Sequence, residues 1–408
     1  MRHAVVVGGG VGGLAAALAL GRAGWRVTVL ERAPAFAEIG AGITLPANAR
    51  RALHALGLAD VVGSGAPPQE EGGVRDPSGR WLVRLGGARA AGAGAEAARA
   101  EPGTTGTRSG ADAEAVVVGI HRQHLHRLLL DAVPPDALVS GARVVSVRAA
   151  GAGRASVTFV RGGTERTATA DLVVGADGIR SRVRSELWPE HPGPRYSGVT
   201  AWRSVTRGTE TVQAGVTSTW GPGTEFGIVP LLDGRVYWFA AAPAPEGERS
   251  ADELGDLRRR FRHWHAPIPA LLASGQPEDV LRHDLYELGR PLRSFVRGPV
   301  ALLGDAAHAM TPHLGQGAAQ ALEDAVVLGR ACAPDRPVEV SLAVYDRTRR
   351  PRAQAVATAS RWAGRVGHEL RLAPAVALRN AVMRRLPAAL ALRPLTRFTR
   401  WDPDPLSS

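Results

Sequence analysis

Gly8, Gly10 and Gly13 follow the G-x-G-x-x-G spacing, between the apolar run Ala4–Val7 and the Ala/Leu-rich stretch Leu14–Leu20. Glycines at this spacing permit a tight turn, close approach of backbone amides to a pyrophosphate, and tight packing of a helix on a strand. A helix that starts there points its unpaired N–H groups and the positive end of its dipole at the same spot. Glu31 lies 18 residues beyond Gly13, at the carboxyl end of a second apolar run, Arg26–Leu30. An acid in that place can take ribose hydroxyls, and it suits FAD or NAD better than a 2′-phosphorylated dinucleotide. Arg32 beside it is a further candidate for a cofactor contact.

Two more strand-end motifs occur later. Asp171–Gly175 leads into Ala176-Asp177-Gly178, with Ser181 and Arg184 after it; Ala301–Leu303 leads into Gly304-Asp305, then Pro312 and Gly315-Gln316-Gly317. The three motifs, in this order and over nearly the whole chain, resemble the FAD-dependent aromatic hydroxylases. These are the single-component flavoprotein monooxygenases of the PHBH-like and salicylate-hydroxylase-like type. Trp202-Arg203, Tyr237-Trp238 and Phe261–Pro269 sit where related members have similar segments.

The resemblance implies non-covalent FAD, with NADH or NADPH docking transiently as reductant because no second glycine fingerprint follows. It implies insertion of one atom of O2 into a small aromatic or polycyclic substrate, through a hydroperoxide at flavin C4a. Epoxidation, oxidative decarboxylation and saturation on the same scaffold are the alternatives. On the cofactor side it implies that Asp305 bonds the ribityl chain and that Gly315 and Gly317 open a helix toward the flavin pyrimidine. Arg122 would then pair with phosphate or ribose, Gly42 and Ile43 pass beside the isoalloxazine, Val145 meets adenine, and Asp177 serves FAD and nicotinamide binding. On the substrate side Arg203, Pro312 and His313 are pocket candidates, with Phe226 and Tyr237 lining an aromatic slot. Several phenol hydroxylases of the family carry His or Tyr near 211–219, and Glu210–Trp220 contains neither.

The elements that must position these residues follow from periodicity. Residues 4–31 read as a βαβ unit, followed by helices near 47–56 and 121–132 and a hairpin over 142–160. Short alternating strands with glycine turns over 196–242 predict an antiparallel sheet, 252–273 a helix, and 318–330 a long helix. The fold class is α/β: a three-layer, Rossmann-like FAD-binding domain with an inserted antiparallel substrate domain and C-terminal helices. The predicted divisions are 1–190 and 291–340 for the FAD-binding domain, 191–290 for the substrate domain and 341–408 for the helical tail. Residues 86–115, rich in Gly, Ala, Arg and Thr, read as a flexible insertion.

Composition closes off other classes. The chain of 408 residues has 45% apolar residues and a single cysteine, Cys332, so neither disorder nor a disulfide scaffold fits. Its 50 basic residues are all arginine, against 38 acidic, which removes lysine Schiff-base and P-loop chemistry. The arginines are spread along the chain, so the net charge of +12 does not mark a nucleic-acid surface. No Cys/His grouping has metal-ligand spacing, and no apolar run reaches the roughly 18 residues of a membrane span. Met1-Arg2-His3 runs straight into a strand without a cleavage site, so no signal peptide is expected and the expected compartment is the cytoplasm; the expected partners are a small organic substrate and O2, with the chain a monomer or homodimer.

Overall fold

A computed structural model describes residues 1–37, 40–59, 72–85, 117–151, 153–208, 215–367, 369–387, 390 and 397–404. The expected insertion at 86–115 lies outside them. In chain order the strands begin with β1 (His3–Val7), β2 (Arg26–Leu30), β3 (Gly42–Leu45), β4 (Gly72–Arg75), β5 (Trp81–Leu85) and β6 (Val118–His121). They continue with β7 (Leu138–Val139), β8 (Arg143–Ala149), β9 (Ala155–Arg161), β10 (Thr164–Ala170), β11 (Leu172–Gly175) and β12 (Pro194–Val205). The last are β13 (Thr217–Gly221), β14 (Thr224–Pro230), β15 (Val236–Pro243), β16 (Leu281–Leu288), β17 (Val296–Arg297) and β18 (Val300–Leu302). The helices are α1 (Val11–Arg22), α2 (Ala47–Ala55), α3 (Arg122–Asp131), α4 (Arg182–Leu187) and α5 (Glu253–Phe261). After them come α6 (Ile268–Ser274), α7 (Asp305–His308), α8 (Gly317–Ala331), α9 (Val338–Val366) and α10 (Ala373–Arg385).

The first layer system is a six-stranded sheet in the order β17-β18-β11-β1-β2-β7, with β1 parallel to both β2 and β11. Every residue of β1 is buried, as in a strand covered on both faces. Helices α1 and α8 cover one face, crossing so closely that a Cβ on Gly329 would come within 2.7 Å of the Ala19 Cβ. The small antiparallel sheet β10-β9-β8 packs on the other, which completes the three layers. The hairpin expected over 142–160 thus has a third strand, β10, whose polar run Thr164–Thr169 hid its pairing with β9.

The second sheet has the order β16-β12-β15-β14-β13-β4-β5. Two of its strands, β4 and β5, come from residues 72–85, because β4 pairs in parallel with β13 at Thr217↔Gly73. The predicted boundary at 191 does not separate the two sheets: the seven-stranded sheet recruits a hairpin from the first segment. The helix expected over 252–273 is two helices, α5 capped by Asp252 and α6 containing Pro269 and preceded by Pro267. Both prolines lack the N–H that would continue a helix through them. α5 and α6 close the back of the sheet around Phe226, Trp238, Phe261, Ile268 and Leu272.

Candidate active site

A cavity of about 860 Å³ opens between the two sheets, and residues from all three sequence motifs line it. Gly10, Gly42, Ile43, Arg122, Asp305, Gly315 and Gly317 reach it from the parallel-sheet side. Arg203, Tyr237, Pro312 and His313 line it as well, together with Phe239, Glu225 and Trp220.

The cofactor side is made mostly of backbone. Gly8 sits at φ +107° with its virtual Cβ 2.4 Å from the Ala176 carbonyl oxygen, and a Cβ on Gly13 would lie 1.9 Å from the Gly8 oxygen. Neither glycine lines the cavity; they let β1, α1 and the Asp177 loop meet. The carboxylate of Glu31 accepts from Gly9 N–H at 2.7 Å and Ala33 N–H at 2.8 Å, fixing the turn. His126 donates from Nε2 to the Gly9 carbonyl at 2.8 Å, so α3 holds the same loop from beyond. No side chain caps the start of α1 or α8, and both N-termini face the cavity.

Below the Gly304-Asp305 turn lies a buried charge network. Gly304 turns at φ +61°, which leaves Asp305 exposed toward the cavity. Asp324, on α8, accepts from Gly304 N–H at 3.0 Å and from His308 Nε2 at 2.6 Å, and Arg349 Nε reaches its other oxygen at 2.7 Å. Burial alone would push the Asp324 carboxyl up, but His308 and Arg349 hold it at about 2. Arg349 also pairs with Glu323, which Arg352 bonds at 2.7 Å. Arg184 joins the other two motifs by donating to the Ala306 carbonyl at 2.9 Å and to Ile179.

The facing side of the cavity is lined by side chains on alternate strand positions. Arg203 pairs across the sheet with Phe239, and Tyr237 packs its ring where a Cβ on Gly42 would stand, 2.1 Å from Tyr237 Cγ. Burial raises the Tyr237 phenol, with Arg203 and Arg122 opposing and Glu225 adding to the shift. His283, opposite Ala201 on β16, is pushed below the usual imidazole range by burial and then by Arg203 and Arg122.

Besides Gly8, Gly13 and Glu31, four expected site residues lie outside the cavity lining. Phe226 is fully buried on the back of the sheet against Trp238 and Phe261, with ring centroids 5.5 and 5.3 Å away. It does not line an aromatic slot: one residue of register separates it from the cavity face. Asp177 turns its carboxylate to Ser181 and to the amides of Arg182 and Val183, capping α4, and burial raises its carboxyl. Val145 sits at a bulge in β8, where its carbonyl accepts from Arg182 Nε at 2.9 Å, outside the cavity lining. Arg32 is exposed.

Glu225 and Phe239 escaped the sequence reading. Glu225 follows the turn Gly221-Pro222-Gly223 and reads there as a hairpin end, yet the alternation 225, 227, 229 puts it on the face shared with Tyr237. Among the described residues no His/Cys/Asp/Glu cluster suits a metal, and no helix is long and apolar enough to cross a membrane.

A glycine-turn parallel sheet joined through one cavity to an antiparallel sheet defines the flavoprotein hydroxylase class. The family model described as an FAD binding domain matches residues 2–360. The chain belongs to that family, the FAD-dependent aromatic hydroxylases, and it is an FAD-dependent monooxygenase. It is 39% identical over 365 residues to the aurachin C monooxygenase/isomerase of Stigmatella aurantiaca, covering 89% of each chain. It is 32% identical to the FAD-dependent urate hydroxylase of Klebsiella pneumoniae, covering 85% of each. Klebsiella pneumoniae HpxO, solved with FAD and uric acid, superposes with a TM-score of 0.82 at 26% identity, over 98% of this chain and 96% of that one.

Proposed function

We propose that the protein hydroxylates a small planar aromatic or heteroaromatic molecule held against FAD in the shared cavity, with NADH or NADPH as reductant. The relatives support the breadth of that class: by their names one acts on aurachin C and another on urate. The observation that carries the reading is Arg203. It lines the cavity opposite the flavin motifs and has no hydrogen bond or ion pair among the described residues, so a ligand oxygen is its natural partner.

The donor set fits FAD. Backbone amides at Gly10–Gly12 and the Arg122 guanidinium would hold the pyrophosphate, Asp305 the polyol, and the α8 N-terminus the pyrimidine edge. When bound, FAD supplies the activation of O2. The chain binds the substrate ring, orients it with Arg203, and excludes water with Tyr237, Phe239 and Val229. A helix N-terminus stabilises negative charge placed on it by about 0.3–1 kcal/mol, more when partly buried. At α8 that favours an electron-rich flavin edge.

The test is Arg203→Met. The variant is expected to keep its flavin and lose about 100-fold or more of substrate-dependent NAD(P)H oxidation and O2 uptake. Unchanged rates with unchanged flavin content would remove Arg203 from the reading.

A further inference from the structure

Exposed apolar side chains are gathered in one stretch of the chain. Of the nine large ones exposed among the described residues, seven fall between Trp362 and Leu390. Single exposed leucines are ordinary on a protein surface, but a cluster of them marks a surface that something covers. The cluster centres on α10. Val376 on its inner face is buried, and Arg379 there donates to the carbonyls of Gly367 and Trp220. Arg384 pairs with Asp76 between β4 and β5, which fastens the helix to the β5 end of the seven-stranded sheet. Trp220 also lines the cavity, so α10 stands against the outside of a cavity wall.

The outer face of α10 is different. Leu378, Val382 and Leu386 recur at every fourth residue and are 67%, 47% and 42% exposed, so they form one stripe along the helix. Arg385 lies about two turns beyond Leu378 on the same line, and Arg371 stands just before the helix begins. At the end of α9, Trp362 and Val366 are one turn apart and also exposed, with the Arg365 guanidinium 5.6 Å from the indole centroid. Arg365, Arg371 and Arg385 make no hydrogen bond or ion pair among the described residues. Residues 361–390 hold six arginines and one acid, Glu369. The surface is thus apolar, with unpaired cations set among the apolar side chains.

We propose that the outer face of α10, with the exposed end of α9, docks on an anionic lipid bilayer. Leucine and valine enter the boundary between headgroups and acyl chains, arginines meet lipid phosphates, and an indole suits that depth. At 13 residues α10 is too short to cross a bilayer and lies in the interface plane. A second copy of the chain fits the same face poorly. A two-fold contact through it would bring arginines against arginines, and α10 contains no acid to separate them. The inference rests on this surface alone and stands apart from the hydroxylase reading.

The experiment floats the full-length holoenzyme with extruded vesicles in about 0.1 M salt. One set is phosphatidylcholine, the other equal parts phosphatidylcholine and phosphatidylglycerol, and the flavin absorption band reports the bound protein. At least about tenfold more protein is expected on the anionic vesicles. A net charge of +12 by itself favours adsorption, so the deciding variant is Leu378→Ser with Val382→Ser, which leaves every charge in place. It should lower the bound fraction about fivefold or more, with flavin content unchanged. Both side chains are exposed, so the substitutions put little stability at risk. No binding to either vesicle, equal binding to both, or undiminished binding by the serine variant would overturn the proposal. So would a dimer in light scattering that the serine variant dissolves, since the face would then belong to a second copy. The vesicle comparison needs no variant and can sink the proposal by itself.

Discussion

The two walls of the cavity are built by different means. On the cofactor side the chemistry is done by backbone: turns at Gly8–Gly13, Gly304 and Gly315, and the starts of α1 and α8. On the facing side, the one proposed to meet the substrate, the lining is made of side chains, Arg203, Glu225, Tyr237 and Phe239, standing on strands whose register chooses their face. A wall of backbone tolerates almost no change at a few positions. A wall of side chains can be rewritten residue by residue without disturbing the sheet.

The largest expected effect comes from breaking the first wall. Gly13→Val places atoms inside the Gly8 carbonyl, which stands 1.9 Å from even a Cβ. The purified variant should carry essentially no FAD, as read from the ratio of flavin to protein absorbance. Full occupancy would show that the turn yields.

Next in size is the buried pair beneath it. Arg349→Met leaves Glu323 and Asp324 buried without their main cation, which typically costs about 3–5 kcal/mol. Urea unfolding should show this, with flavin released at lower denaturant, because Asp324 holds the Gly304 amide. The pH dependence has a definite sign. The folded Asp324 carboxyl titrates at about 2, below its ordinary 3.8, so its stabilisation is complete above about pH 4 and is lost as pH falls through about 2. An unfolding midpoint that began to fall at pH 6 would point to other groups.

A smaller effect separates the two faces of the substrate sheet. Phe226→Leu should cost about 1–2 kcal/mol in unfolding free energy by underpacking the cluster with Trp238 and Phe261, yet leave KM alone. Phe239→Leu should do the reverse, raising KM severalfold with little loss of stability, because its ring forms the cavity floor. If both variants behaved alike, the register drawn between β14 and β15 would be wrong.

That pair of residues also marks how far the sequence could be read. The parallel sheet, the glycine turns and the long helix α8 were legible because each imposes a local rule: buried strands are apolar throughout, and only glycine fits φ near +107° at Gly8. Arg203 and Tyr237, pocket candidates by resemblance, do line the cavity. Phe226 was misplaced and Glu225 overlooked for one reason, that both faces of β14 are buried. Alternation between polar and apolar residues, the usual guide to register, is erased when a strand is covered on both sides. The recruitment of β4 and β5 was invisible too, since a pairing across more than 130 residues leaves no local trace.

The smallest expected effect is a silence, and it bears on the rigidity of the cofactor wall. Cys332 is fully buried at the end of α8, its carbonyl bonded by Trp25 Nε1 at 2.7 Å. Burial pushes its thiol up to about 12, so at pH 8 almost none of it is thiolate, the form that attacks disulfide reagents. An aromatic disulfide reagent should therefore leave the native protein unmodified over an hour and titrate one thiol promptly in guanidinium. Fast modification without denaturant would mean that the seam between α1 and α8 opens on that timescale. A wall made of backbone turns could not then hold a cofactor by its shape alone, and the contrast between the two sides of the cavity would lose its basis.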